Sequence, residues 1–273
     1  MSRLVTFHRI LGGCEAGHRE SWQAFLSDYT PIALELARKY MPSWPAGPAG
    51  LWQDALRALA AENFQRLRAF DHQAEREFLV DLRSFLLEYG SRKLDPSHDV
   101  AGAPTPEAVR ALLKGLPLLH QEILFLKLSG YSDTTLEALL RITPAMAQKG
   151  LERLQQDYAL VVKKEQDACL WPAAWSELLA HARASSTEAC PPLRSFVRIQ
   201  DGQTSWYDKE PLERHLAECL HCLERWTALR ELVYWRREAK PRPAEEINNL
   251  LSCLPVQAGN EKGKSLLKRL FAP

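Results

Sequence analysis

The sequence has no apolar run near the roughly 20 residues that a membrane span requires, so no integral membrane segment is expected. Its opening, Met1-Ser2-Arg3-Leu4, lacks the long apolar core of a secretory signal, and a cytoplasmic location is expected. Strand-like alternation is nearly missing: only Ser195-Phe196-Val197-Arg198-Ile199 alternates, too short to support a sheet of its own. There is no internal repeat, phosphate-binding glycine loop or nucleophile–base pair, so an enzyme is not expected. No strong charge of one sign is present either, because the formal net charge is only +1. A dedicated non-specific nucleic-acid binder would carry a basic stripe, since phosphate neutralisation supplies most of its affinity. Any DNA contact must therefore be local and helped by a partner.

What is present is an ordinary globular composition, 46% hydrophobic and 25% charged, which argues against wholesale disorder. At 273 residues, two or three small domains are expected rather than one large core. Apolar residues recur at helical spacing, as in Leu51, Ala55, Leu56 and Leu59 and again in Phe78, Leu82, Phe85 and Leu86, so the fold class is all-α. Punctuation divides the chain into a helical domain at 1–95, a Pro- and Gly-rich linker at 96–106, a second domain at 107–164, a third at 165–240 and a basic tail at 241–273. Charge is uneven along it: residues 105–164 carry +2, residues 165–235 carry −4 and residues 236–273 carry +4. Within the tail, Gly263 to Phe271 has apolar and cationic sides, for which a frayed terminus is the plainer reading and surface attachment the rival one.

Two motifs carry chemistry. His215-Leu216-Ala217-Glu218-Cys219-Leu220-His221-Cys222 places a histidine and two cysteines at spacings of four and three, which on one helix puts all three on one face. A tetrahedral zinc needs a fourth ligand, and Cys190, held before Pro191-Pro192, is preferred over His181, Cys169 and His221. A closed shell of three cysteines and one histidine leaves no open coordination position, so one structural Zn2+ per chain is expected. A redox CxxC and plain core packing of the cysteines are the competing readings. The third domain's tryptophans Trp171, Trp175, Trp206, Trp226 and Trp235 read as core packing, and Glu213, Glu218 and Glu224 as its solvated face.

The second motif is a helix-turn-helix. A helical pattern through Ile123, Leu124 and Leu126 stops at Gly130, a short helix follows over 134–140, and Thr143-Pro144 supplies an N-cap and first-turn proline for the next helix. Such a layout offers the N-terminal residues of its second helix to the major groove.

Leu116-Pro117 with Gln121-Glu122 and Gly130-Tyr131-Ser132, followed by Leu136-Glu137-Ala138-Leu139-Leu140 and Ile142-Thr143-Pro144-Ala145, resembles the promoter-reading C-terminal domain of extracytoplasmic-function sigma factors, bacterial members of the sigma-70 family. In the first domain, Leu51-Trp52-Gln53-Asp54-Ala55, Asn63-Phe64, Arg66-Leu67-Arg68, Phe70, and Glu77-Phe78 with Leu82-Arg83 resemble that family's N-terminal domain. The segment from Cys190-Pro191 to Cys222 resembles the zinc-binding fold of anti-sigma factors. The resemblance implies a sigma region-2-like domain, a sigma region-4-like domain and a fused anti-sigma-like domain regulating them in cis. It implies RNA polymerase core, promoter DNA and a protein regulator as partners. Trp52, Gln53 and Asp54 would engage polymerase; Arg68, Arg83, Arg92 and Lys93 would lie near the −10 strand; Thr143, Gln148, Lys149 and Arg153 would face the −35 groove. The chain departs from the family in its recognition helix, which offers only Lys149 and Arg153 as cations and carries Gly150, in Ala49-Gly50, and in lacking an asparagine near Leu87-Glu88. The alternative function is a sigma-derived adaptor or anti-sigma-like interaction protein that no longer reads promoters.

Overall fold

The structure is a computed structural model that describes residues 7–70, 74–95, 97, 99–157 and 168–256, with backbone alone over 153–157. Its described residues form thirteen α-helices and no strand, in keeping with the all-α expectation. They are α1 (Phe7–Glu15), α2 (Arg19–Tyr40), α3 (Gly47–Arg68), α4 (Glu75–Ser91), α5 (Pro106–Leu113), α6 (Leu118–Leu128), α7 (Asp133–Leu140), α8 (Pro144–Asp157), α9 (Pro172–Ala184), α10 (Leu193–Gln200), α11 (Trp206–Glu218), α12 (Leu220–Glu238) and α13 (Ala244–Ser252). The strand-like alternation at 195–199 is helical, inside α10: Pro192 precedes its first turn, and Leu193 and Phe196, one turn apart, are its buried residues. The basic patch at 263–271 lies outside the described residues.

Two compact units emerge, and both are discontinuous in sequence, whereas the segments expected from the sequence are contiguous. The smaller takes in Met1–Pro31, Gln53–Ala74 and Lys240–Pro273; the larger takes in Ile32–Trp52 and Glu75–Ala239. Helices α2 and α3 contribute to both, and α2 carries Pro31 at the residue where the chain passes from one to the other.

In the smaller unit, the Trp22 ring lies edge-on to Phe25 at 5.2 Å and 5.7 Å from Phe64, and its indole N–H donates to the Cys14 carbonyl at 3.0 Å. α3 breaks there: Glu62, Asn63 and Phe64 all take positive φ, a region that costs L-residues roughly 1–2 kcal/mol each. The break sets Phe64 into the core beside Trp22. Ile247, Leu250, Leu251 and Leu254, at helical spacing, form the buried stripe of α13 and the residues just after it.

The larger unit is organised around α12, which packs on α4, α6, α7, α9, α10 and α11. Both α12 and α6 are buried nearly all round; residues 121–128 of α6 are buried without interruption. Polar groups on such helices must find partners, because an unpaired buried donor or acceptor costs about 1–3 kcal/mol. They do. Gln121 donates to the Leu116 and Ala217 carbonyls, Lys127 pairs with Asp133 at 2.8 Å, and Glu122 accepts from the Trp226 indole at 2.6 Å and pairs with Arg230. Burial raises the Glu122 carboxyl pKa, with Arg230 and Trp226 opposing.

The turn residues behave as their chemistry requires. Gly130 ends α6 at φ +85, and a Cβ there would stand 2.1 Å from the Ala168 carbonyl oxygen. Gly150, costly within a helix, is buried where α8 crosses α6, and a Cβ there would meet the Ile123 side chain at 2.5 Å. Part of the 96–106 stretch is pinned down rather than free. Asp99 accepts from the Ala173 and Ala174 amides at 2.9 and 3.0 Å, capping α9, and Trp171 donates to the Val100 carbonyl.

Candidate metal centre

The ligand set forms where two helices meet. Ser205 caps α11, accepting from the Asp208 amide, and α11 delivers His215 in its last turn. The chain then leaves helical geometry at Cys219 (φ −108, ψ 108), which closes α11 through its amide to the His215 carbonyl and opens α12 through its own carbonyl to the Leu223 amide. Cys222 follows in the first turn of α12. The three residues therefore do not share one continuous helical face, as their spacing alone implies. A helix–break–helix joint makes them converge instead.

Cys190 completes the group from a tight turn ahead of Pro191. Its amide donates to the Thr187 carbonyl at 3.0 Å, and its sulfur accepts from the Thr187 amide at 3.3 Å. The ligand atoms of Cys190, His215, Cys219 and Cys222 all lie within 4.8 Å of one another, so the cluster can hold a metal ion. Cys190 Sγ stands 3.7 Å from Cys219 Sγ, and His215 Nε2 stands 3.2 Å from Cys222 Sγ. Two thiolates at about 2.3 Å from a tetrahedral zinc would be about 3.8 Å apart. All six cysteines are free thiols, so the 3.7 Å separation is not a disulfide and is compatible with a shared metal ion.

The electrostatics favour a deprotonated sulfur at the loop position. Burial works against the Cys190 thiolate, but the Thr187 amide and hydroxyl, His215 and Cys222 together lower its pKa to about 6. The Cys222 thiol is pushed far up, first by burial and then by Cys219 and Cys190, so a thiolate there needs a cation beside it. The less favoured ligands are engaged elsewhere. His181 contacts Arg110 at 3.0 Å, the Cys169 thiol donates to the Leu128 carbonyl, and His221 stands outside the cluster.

The other residues singled out by sequence are dispersed. Arg83, expected near DNA, is 2% exposed and donates to Glu231 Oε2 and Glu224 Oε1, both at 2.5 Å, and to Tyr40 Oη at 2.9 Å. Tyr40 and Tyr131 also donate to Glu231, and the Trp235 indole donates to Tyr131. Glu224 is thus no part of a solvated face; of the three glutamates only Glu218 is exposed, with Glu213 half-buried. Of the tryptophans, Trp171, Trp175 and Trp226 are core residues, whereas Trp206 is 67% exposed.

Trp52 is fully buried. Gln53 donates to Cys253 Sγ at 2.8 Å, and Asp54 accepts from Arg57. Arg68 is exposed and donates to the Glu15 carbonyl; Arg92 pairs with Glu88; Lys93 lies over the Trp44 and Tyr89 rings. Thr143, Gln148 and Lys149 are exposed, Thr143 capping α8 through the Met146 amide, and the Arg153 side chain lies outside the described residues.

Sequence reasoning missed the partners of Arg83. Their signal was Glu224 and Glu231, two turns apart on one face of a helix otherwise rich in leucine and tryptophan, where a carboxylate demands a buried cation.

Comparison of the chain with protein-family models, with curated proteins and with solved structures finds no match. What the fold and the site define on their own is an all-helical protein in which Cys190 and the α11–α12 joint form a cysteine–histidine cluster that could hold a metal ion. Among the described residues, no helix is long and apolar enough to cross a membrane.

Proposed function

We propose that the chain is a sigma-like transcription initiation factor that binds RNA polymerase core and promoter DNA and carries a zinc-binding domain restraining it in cis. The observation that carries this reading is the burial of Arg83 by Glu224 and Glu231 of α12. A residue expected beside the melted promoter strand is withdrawn from solvent by the helix that also bears a metal ligand.

Restraint in this reading does not work by covering the recognition helix, since Thr143, Gln148 and Lys149 stay exposed. Nor is it a simple attraction of an acidic segment for a basic one. Arg83 meets acids of α12, but Arg225 and Arg230 of α12 meet Asp81 and Glu122, so the pairing runs both ways. The metal is proposed to be zinc in a structural role: Cys190, His215, Cys219 and Cys222 would hold it, and the bound cation would keep the thiolates charged and tie the Cys190 loop to the α11–α12 joint.

The adaptor reading is favoured by one feature: among the described side chains of α8, Lys149 is the one cation, a thin supply for phosphate and base contacts. A genome-wide run-off assay with core polymerase separates the two. A sigma factor gives defined start sites that weaken in Lys149→Ala and strengthen in Glu224→Gln; a folded protein that yields no transcripts with either variant is an adaptor.

A further inference from the structure

A cleft of about 360 Å³ opens in the larger unit between the start of α4, the α7–α8 turn and the α10–α12 region. That volume suits a metabolite-sized ligand. Its charged lining consists of Arg76, Arg141, Lys209 and Arg230 against Asp201 and Glu213. Apolar wall comes from Leu139, Leu140, Ile199 and Val233. Three guanidinium groups from remote parts of the sequence thus converge on one half-apolar cavity.

The four cations are not equally committed. Arg76 pairs with Asp201 at 2.7 Å and Lys209 with Glu213 at 3.2 Å, and all four side chains are between 33% and 40% exposed. Such solvent-exposed pairs are weak, so an incoming anion can draw these cations away at little cost. Arg230 is the fixed one: it is ion-paired to buried Glu122 and lies over the Trp226 ring, 4.8 Å from its centroid. Arg141 is the uncommitted one. It has no ion-pair partner among the described residues and sits at φ +55, the left-handed position that caps α7, where glycine is the usual occupant. A long cation has been placed in a conformation that disfavours it, at the rim of a cavity with an excess of positive charge.

We infer that this cleft binds a small organic anion through its carboxylate or phosphate oxygens, with Arg141, Arg76 and Arg230 as the recognising groups and Leu139, Leu140, Ile199 and Val233 against its apolar body. Planar guanidinium groups match the paired oxygens of carboxylate and phosphate, which sets the ligand's chemical class. The walls belong to three stretches of chain, α4, the α7–α8 turn and α10–α12, so occupancy stabilises the arrangement in which all three are together. The ligand acts as a clamp on the folded form. The inference rests on the cleft and stands apart from the transcription reading, because its test reads binding to the isolated protein.

The probes are AMP, 3-phosphoglycerate and succinate, titrated into the full-length protein by calorimetry and by thermal unfolding, with ionic strength held constant by sodium chloride. The expected result is saturable binding at one site per chain for at least one probe, with a rise in melting temperature. Arg141→Gly is the decisive variant, since glycine is at ease at φ +55 and the fold is kept while the guanidinium is removed. It should weaken binding about tenfold, the worth of one charge-assisted contact. Glu213→Gln, which removes a competing carboxylate, should tighten it. No saturation by any probe at about 10 mM, or unchanged affinity in Arg141→Gly, overturns the inference.

Discussion

Arg83 of α4 donates to Glu231 of α12 at 2.5 Å across a sequence separation of 148 residues, and both side chains are 1% exposed. Glu231 is shared: Tyr40 and Tyr131 also donate to it, while Glu224 takes a second N–H of the same guanidinium. The ion pair is therefore one corner of a closed network in which each buried polar group has a partner. Such networks specify one arrangement of the helices around them, because any other arrangement strands a charge in the core.

Removing one partner exposes that dependence. Glu231→Ala is expected to destabilise the protein by about 3–5 kcal/mol, the cost of an uncompensated buried charge. Replacing Arg83 by methionine in the same chain should recover part of the loss. Urea unfolding of Glu231→Ala, Arg83→Met and the double variant measures both, and simple additivity of the single changes would show that the residues act independently.

The metal centre gives the sharpest chemical test. Metal analysis of the purified protein should find about one zinc per chain, and Cys219→Ser or Cys222→Ser should release it. With the metal gone, α11 and α12 lose their common tether, so the unfolding midpoint falls and protease sensitivity rises around Cys190. A chelator should reproduce the effect on the unchanged protein. Full retention of zinc in the Cys219→Ser/Cys222→Ser double variant would contradict the assigned ligands.

Gly130→Ala tests the close approach of two backbones. The φ of +85 alone costs an L-residue about 1–2 kcal/mol. The new Cβ would also collide with the Ala168 carbonyl, a backbone group that cannot rotate away, so the loss should exceed that figure. Gly115→Ala shares a positive φ, +84, but has open space around it, and should cost only the conformational part. The difference between the two in thermal unfolding isolates the clash.

Much of the architecture is written locally. Helix faces, the Gly130 stop and the Thr143 cap depend on neighbours within a turn or two, where residue type decides backbone geometry. The four residues able to hold a metal were legible for a related reason: His215, Cys219 and Cys222 are rare, chemically specific residues at short spacing, and Cys190 stands in a loop stiffened by prolines. Even so, the break at Cys219 was not legible, because spacings of four and three fit a straight helix equally well.

Tertiary structure decided the rest. An exposed-looking arginine on an amphipathic pattern carries no mark of whether solvent, DNA or a distant carboxylate will receive it. For Arg83 the answer depends on α12 packing against α4, which brings together residues 141 and 148 positions apart. That packing also buried Glu224, while the packing of α12 on α6 drew Trp226 onto Glu122 and the assembled helices shaped the cleft beneath Arg141. By itself the sequence determined most helix faces and stops and which four residues could hold a cation, because those outcomes follow from local sterics and donor chemistry. Which charges are buried together, and which stay free for a ligand, was decided only when the helices packed, since burial is a property of the assembled core and not of any single segment.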